Sequence, residues 1–184
     1  MIPRRRFLAL SACAAAFTRP AAAAAPQRSL SPAGRAAAVV TNVGAPLSHA
    51  AIVARELGVA EGDKITVDLV LESADPATFD ALVLPGGVAN PDALRLDEDA
   101  VTFVKNFVAS GKPVAAICHA PWVLVEADVV RGKRLASFPS LQTDIRNAGG
   151  EWVDETVVVD GNLITSRNPG DLEAFNRAIA DALS

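Results

Sequence analysis

The sequence predicts an α/β fold with a mainly parallel sheet. Three observations predict it. Short apolar runs alternate with stretches of helical spacing. The runs Phe79 to Leu84 and Pro113 to Ile117 are apolar nearly throughout, as a strand buried on both faces must be. Pro85-Gly86-Gly87 and Asp160-Gly161 then mark tight turns at strand ends.

The elements follow in order. Residues 27–35 read as a polar linker, and Ala36 to Thr41 as a short buried strand. Ser48 is placed to cap a helix through Leu57, closed by Gly58. Lys64 to Val70 alternates and is rich in β-branched residues, which predicts a strand. In Asp97 to Ala109 the side chains Ala100, Val101, Val104, Phe107 and Val108 share one helical face. Pro121 suits the first turn of the next helix. Arg134 to Ser137 reads as a strand and Ser140 to Asn147 as a helix. Val153 to Val159 and Asn162 to Ser166 read as a hairpin across Asp160-Gly161. Asp171 to Leu183 reads as an amphipathic closing helix.

Composition narrows the function. With 184 residues, 51% of them hydrophobic, the chain can bury a core as one domain or as a leader plus one domain. The net charge of −4 argues against a nucleic-acid binder, which needs a basic footprint. Aromatic residues make up 5% and Tyr is absent, so no stacking platform for single strands is expected. Two Cys and two His give little material for a metal site, and no metal is expected.

Residues 1–25 have the layout of a bacterial export signal: Arg4-Arg5-Arg6, then Phe7-Leu8, an apolar stretch to Phe17, and small residues from Ala21 to Ala25. The Arg pair followed by Phe7-Leu8 predicts the twin-arginine route. Leu10-Ser11-Ala12-Cys13 is similar to a lipoprotein box, but the apolar run before Cys13 is short, so cleavage near Ala24 is preferred. The domain plan is then a leader over 1–25, a linker over 26–35 and one α/β domain over 36–184. Removing residues 1–24 leaves 13 basic against 21 acidic side chains, a net of −8. It also leaves Cys118 as the one Cys. The expected location is periplasmic or extracellular, with no membrane contact after processing.

The chemistry points to Val114-Ala115-Ala116-Ile117-Cys118-His119-Ala120-Pro121. A buried strand stops, Cys118 takes the turn, and a helix begins. That places the thiol at the carboxyl edge of the sheet, where open α/β folds bind ligands. The turn aims it outward like a nucleophile elbow, and the helix N-terminus is expected to favour thiolate. Backbone N–H groups at Gly86, Gly87 and His119 are candidate oxyanion donors. His119 is a candidate proton carrier, and Asp92 a candidate to orient it. Position alone leaves Cys118 either nucleophile or buried structural thiol, and His119 either proton carrier or solvated turn residue.

Several motifs carry a resemblance. Ala81 to Gly87, Gly111 to His119, Asn147-Ala148-Gly149, Trp152 to Glu155, Val157 to Leu163 and Thr165-Ser166-Arg167 resemble the ThiJ/PfpI family of the class I glutamine-amidotransferase-like superfamily, over about residues 68–184. The resemblance implies a flavodoxin-like three-layer sandwich, here with a shortened N-terminal part, that forms homodimers or larger homo-oligomers. It implies cysteine peptidase, cofactor-independent glyoxalase or deglycase activity on small carbonyl compounds or peptides, with no cofactor. It makes Cys118 the nucleophile and His119 its neighbour, and sets Asp92 near an acid that some members lend across a subunit interface. The chain departs from the pattern after the first strand, where family members carry a Glu against the thiol. Here Asn42 to Ser48 holds no carboxylate. Ala120 also stands where many members have Gly.

A second stretch, Gly44 to Asp68, resembles the phosphohistidine motif of phosphoenolpyruvate-utilising enzymes, with His49 at the phosphoryl position. The rest of that domain has no counterpart in the chain, so His49 is read mainly as a first-turn helix residue. The expected function is an exported cysteine-dependent enzyme. The alternatives are a thiol sensor or scaffold lacking the family Glu and, more weakly, a phosphocarrier at His49.

Overall fold

The segment Val114-Ala115-Ala116-Ile117 has no polar side chain, so it is stable only where both faces of the sheet are covered. The computed structural model, which describes residues 7–9, 36–38, 71 and 74–184, places it there. The main sheet contains β1 (Phe7–Ala9), β2 (Ala36–Ala38), β3 (Ala81–Leu84), β4 (Val114–Ile117), β7 (Val157–Asp160) and β8 (Leu163–Ser166). Their spatial order is β2-β1-β3-β4-β8-β7. Pairings are parallel except between β7 and β8. A separate parallel pair joins β5 (Arg134–Leu135) to β6 (Glu151–Trp152). The helices are α1 (Ala89–Leu94), α2 (Glu98–Ala109), α3 (Pro121–Glu126), α4 (Gln142–Asn147) and α5 (Leu172–Ala182).

The pleat of β4 divides the core. Val114 and Ala116 join Leu82, Leu84, Phe103, Val104, Phe107, Val123 and Leu124 on one face. Ala115, Ile117 and Cys118 join Ile164, Leu172 and Phe175 on the other. The fold is therefore an α/β sandwich of the expected flavodoxin-like kind, with α2 and α3 on one side of β4 and α5 on the other.

Local chemistry sets the element ends. Asp97 caps α2 by accepting from the N–H groups of Asp99 (3.0 Å) and Ala100 (3.1 Å). Of the expected α2 face, Ala100, Val104 and Phe107 are buried, joined by Phe103. The Lys112 ammonium donates to the carbonyls of Pro76, Ala77 and Phe79 at 3.0, 3.1 and 2.7 Å, which ties the turn before β3 to the start of β4.

Several expectations shift. The strand expected over Arg134–Ser137 is the two-residue β5, and it lies outside the main sheet. Beyond it the backbone leaves strand pairing: the Ala136 N–H donates to the Thr165 hydroxyl at 2.9 Å and the Phe138 N–H to the Cys118 carbonyl at 2.8 Å. The helix expected from Ser140 starts as a 3-10 turn, Pro139–Leu141, and becomes α-helical at Gln142. The hairpin turn moves on by one residue to Gly161-Asn162, with Gly161 at φ 61. Asp160 stays in β7 because its carboxylate accepts from the Arg134 N–H (2.8 Å) and from Lys133 (3.3 Å).

Phe7-Leu8-Ala9, part of the expected leader, is β1, in register with Ala81-Leu82-Val83. The first expected domain strand is found as Ala36–Ala38 beside it. The helix expected from Ser48 to Leu57, the strand from Lys64 to Val70, and His49 lie outside the described residues.

Phe107 is fully buried between α2 and the sheet. Phe107→Ala is expected to lower unfolding free energy by about 3–5 kcal/mol, read from urea denaturation. A loss under about 1 kcal/mol would show that α2 does not carry this core.

Candidate active site

β4 ends on Ile117, paired with Ser166, and the next residue turns sharply. Cys118 has φ 65, in the left-handed region that a side chain with a Cβ rarely adopts. Its neighbours fix this conformation. The Cys118 N–H donates to the Ser166 carbonyl at 3.0 Å, and its carbonyl accepts from Phe138 N–H at 2.8 Å. The Ala120 N–H closes back on the Ile117 carbonyl at 3.1 Å. With both backbone groups bonded to separate elements, the strain is held in place. The strand-to-helix elbow stands where the sequence spacing puts it, but Cys118 is buried rather than aimed outward as expected.

The turn brings Cys118 and His119 face to face despite their adjacency. Sγ lies 3.0 Å from Nδ1 of the ring. The ring stacks on Phe138 with centroids 4.7 Å apart and meets Trp122 edge-on at 5.4 Å. Its Nε2 lies 3.1 Å from the Ser140 hydroxyl. His119 is buried, while Phe138 and Ser140 remain exposed on the outer side of the ring.

Across from β4, β3 runs into Pro85-Gly86-Gly87. Gly87 has φ 86, which suits glycine. The Asn90 amide braces this turn by donating to the Pro85 carbonyl at 3.1 Å. The backbone N–H groups of Gly87 and His119 both bond toward the Cys118 sulfur. Two of the three expected oxyanion donors therefore converge on the Cys118 sulfur. Gly86 is buried one residue upstream.

Charge at the sulfur departs from expectation. The helix N-terminus was expected to favour thiolate, whereas burial pushes the Cys118 thiol up from its ordinary range. The N–H groups of Gly87 and His119 pull the other way and do not cancel the desolvation. The helix behind is short, with six residues in α3, and Cys118 is only 1% exposed.

Asp92 sits exposed in the first turn of α1, its N–H bonded to the Val88 carbonyl at 3.2 Å. The ring nitrogens of His119 meet Cys118 and Ser140. Ser140, Phe138 and Trp122 were not singled out from sequence. The available signal was Phe138-Pro139-Ser140, a Pro-fixed turn directly after a strand that ends beside Cys118. No group of three or more His, Cys, Asp or Glu suited to a metal occurs among the described residues.

A mainly parallel sandwich with a left-handed cysteine at the end of a central strand defines an α/β protein of the nucleophile-elbow class. The chain belongs to the DJ-1/PfpI family, whose model matches residues 24–182. That match reaches further toward the N-terminus than residue 68 and takes in the stretch around His49. A deglycase of Pyrococcus abyssi is 51% identical over 122 residues, 66% of this chain and 73% of that protein. The protein/nucleic acid deglycase 2 of Escherichia coli is 53% identical over 114 residues, 61% of this chain and 66% of that protein. Among solved structures, Drosophila melanogaster DJ-1beta shares 37% identity at TM-score 0.62, covering 68% of this chain and 67% of that one. A two-domain Anabaena variabilis protein with DJ-1/ThiJ/PfpI-like and ferritin-like domains shares 45% identity at TM-score 0.65, over 67% of this chain and 35% of that one. The Escherichia coli relative is named for nucleic acids as well as protein, so the expectation of no nucleic-acid partner is not carried by net charge alone.

A Cβ at Gly87 would meet no atom within 4 Å, so Gly87→Ala tests backbone conformation alone. The variant is expected to lose about 1–2 kcal/mol of stability through the left-handed φ. Its rate of Cys118 alkylation should fall as the Gly87 N–H moves off the sulfur. Unchanged stability and alkylation would place Gly87 outside the site.

Proposed function

We propose that the protein is an exported, cysteine-dependent deglycase-type enzyme acting on carbonyl adducts. The observation that carries the reading is the Cys118–His119 contact of 3.0 Å at the elbow, with the Gly87 and His119 N–H groups gathered at the same sulfur.

The first step follows from that arrangement. The Cys118 thiol gives its proton to Nδ1 of His119 as the sulfur attacks the carbonyl carbon. The S–C bond forms, the π pair of the C=O bond passes to oxygen, and the imidazolium returns the proton to that oxygen. The product is a thiohemiacetal, balanced with no further reactant. The N–H groups of Gly87 and His119 stabilise the oxygen while it is negative, a contribution of about 2.7–4 kcal/mol per donor in comparable sites. Neither a metal nor an organic cofactor enters this step.

A buried thiol, pushed up by desolvation, favours an enzyme over a peroxide sensor. Oxidants attack an exposed thiolate, whereas a general base makes thiolate only when substrate is present. The absence of a carboxylate in Asn42 to Ser48 leaves His119 to take the proton. Export rests on the Arg4-Arg5-Arg6-Phe7-Leu8 layout and on a family match that starts at residue 24, where the leader is expected to end. Cleavage there removes β1 from between β2 and β3. No helix among the described residues is long and apolar enough to cross a membrane.

Full-length protein produced in a bacterium is expected in the periplasmic fraction, shortened to begin near Ala25. That form should release free amine from a methylglyoxal-treated peptide, and Cys118→Ala should lower the rate by at least about a hundredfold. Equal turnover by native protein and Cys118→Ala would overturn the catalytic reading. A full-length, cytoplasmic product would overturn export.

A further inference from the structure

We propose that Ser140 is a positioning residue that fixes the tautomer of His119 and so makes Nδ1 the base for Cys118. The inference deepens the catalytic reading and rests on Cys118 being its nucleophile.

The geometry is a relay of three side chains. Sγ of Cys118 stands 3.0 Å from Nδ1, and Nε2 stands 3.1 Å from Oγ of Ser140. Neutral imidazole carries one proton, so one nitrogen donates and the other accepts. The sulfur already receives two backbone N–H groups, from Gly87 and His119. For Nδ1 to take the thiol proton, S–H must donate to it across this contact. That requires Nδ1 to be bare and Nε2 to hold the proton, and the Ser140 hydroxyl accepts it. When the thiol proton moves to Nδ1, the ring becomes imidazolium and the Nε2–H bond to Ser140 persists. The ring therefore keeps its place through the transfer. Proton return to the substrate oxygen restores the starting tautomer.

Ser140 is built into this position. It lies in the 3-10 turn Pro139–Leu141, with Pro139 fixing the backbone at the start. Leu141 anchors the turn in the core and is fully buried. The residue before the turn, Phe138, donates its N–H to the Cys118 carbonyl at 2.8 Å and stacks its ring on His119 at 4.7 Å. One short segment thus clips to the nucleophile's own peptide, stacks on the base and bonds the far nitrogen of that base. The second aromatic neighbour, Trp122, is held by Asp144, which accepts from its Nε1 at 2.7 Å, while Arg95 lies over its other ring atoms at 5.5 Å from the centroid.

The test compares native protein with Ser140→Ala and Ser140→Thr. In 15N–1H spectra of labelled protein, with the His119 signals assigned by their loss in His119→Asn, native protein should show the Nε2-protonated tautomer. Ser140→Ala should show a mixture. Loss of one such hydrogen bond should lower kcat, and iodoacetamide alkylation of Cys118 at fixed pH, by about tenfold, with KM unchanged. Ser140→Thr, which keeps the hydroxyl, should restore both rates and the tautomer. An unchanged tautomer in Ser140→Ala, or a Ser140→Thr protein as slow as Ser140→Ala, would overturn the proposal. The spectra and alkylation rates need no substrate. A native protein without turnover would therefore sink the deglycase reading, and the relay would still be judged on those two readouts.

Discussion

The structure depends on one constraint: Cys118 must hold a left-handed backbone at the end of a fully buried strand. For a residue with a Cβ, that conformation costs about 1–2 kcal/mol. The surrounding hydrogen bonds meet the cost. Ser166 on β8 takes the N–H, Phe138 supplies a donor to the carbonyl, and Ala120 closes the turn behind. Every feature of the site follows from this bend. It turns Sγ toward the side chain of the next residue, sets the His119 N–H on the sulfur, and faces both toward Gly87 at the end of the neighbouring strand. An extended backbone at the same position would send adjacent side chains to opposite faces of the sheet.

The bend also decides the ionisation of the thiol. It leaves Cys118 buried, in one cluster with Ile117, Ile164, Leu172 and Phe175. Desolvation penalises the charged form and outweighs two N–H donors. The consequence is chemical economy of a particular kind. In the reading proposed above, the Cys118 proton leaves when a base and an electrophile are both in reach. His119, stacked on Phe138 and held through Ser140, is placed to be that base.

Much of this was legible in the sequence, for physical reasons. A run such as Val114 to Ile117 admits only a doubly covered strand, and Cys118 followed by Pro121 marks the turn and the helix start. Asp97 announced its helix by capping chemistry. The alternation of Val157 to Ser166 announced the hairpin, though the turn lies one residue later because Asp160 is held by Arg134 and Lys133. What stayed hidden was non-local. Arg134 to Ser137 has strand-like residues, yet Ala136 and Phe138 bond to Thr165 and Cys118, and the segment leaves the sheet. Ser140 reads as an ordinary helix-start residue until the fold sets it against His119, twenty-one positions away. Nor does local sequence tell whether a helix dipole or desolvation wins at a sulfur. That balance depends on what packs over it from β8 and α5.

The central claim is a neutral resting thiol ionised on demand. It is tested most directly by ultraviolet titration of thiolate absorbance in the protein without substrate, with Cys118→Ala as the blank. The account predicts no thiolate at pH 7 and a midpoint above the free-thiol value of about 8.5. A midpoint below neutrality would contradict it, because Cys118 would then rest as a thiolate and need no base.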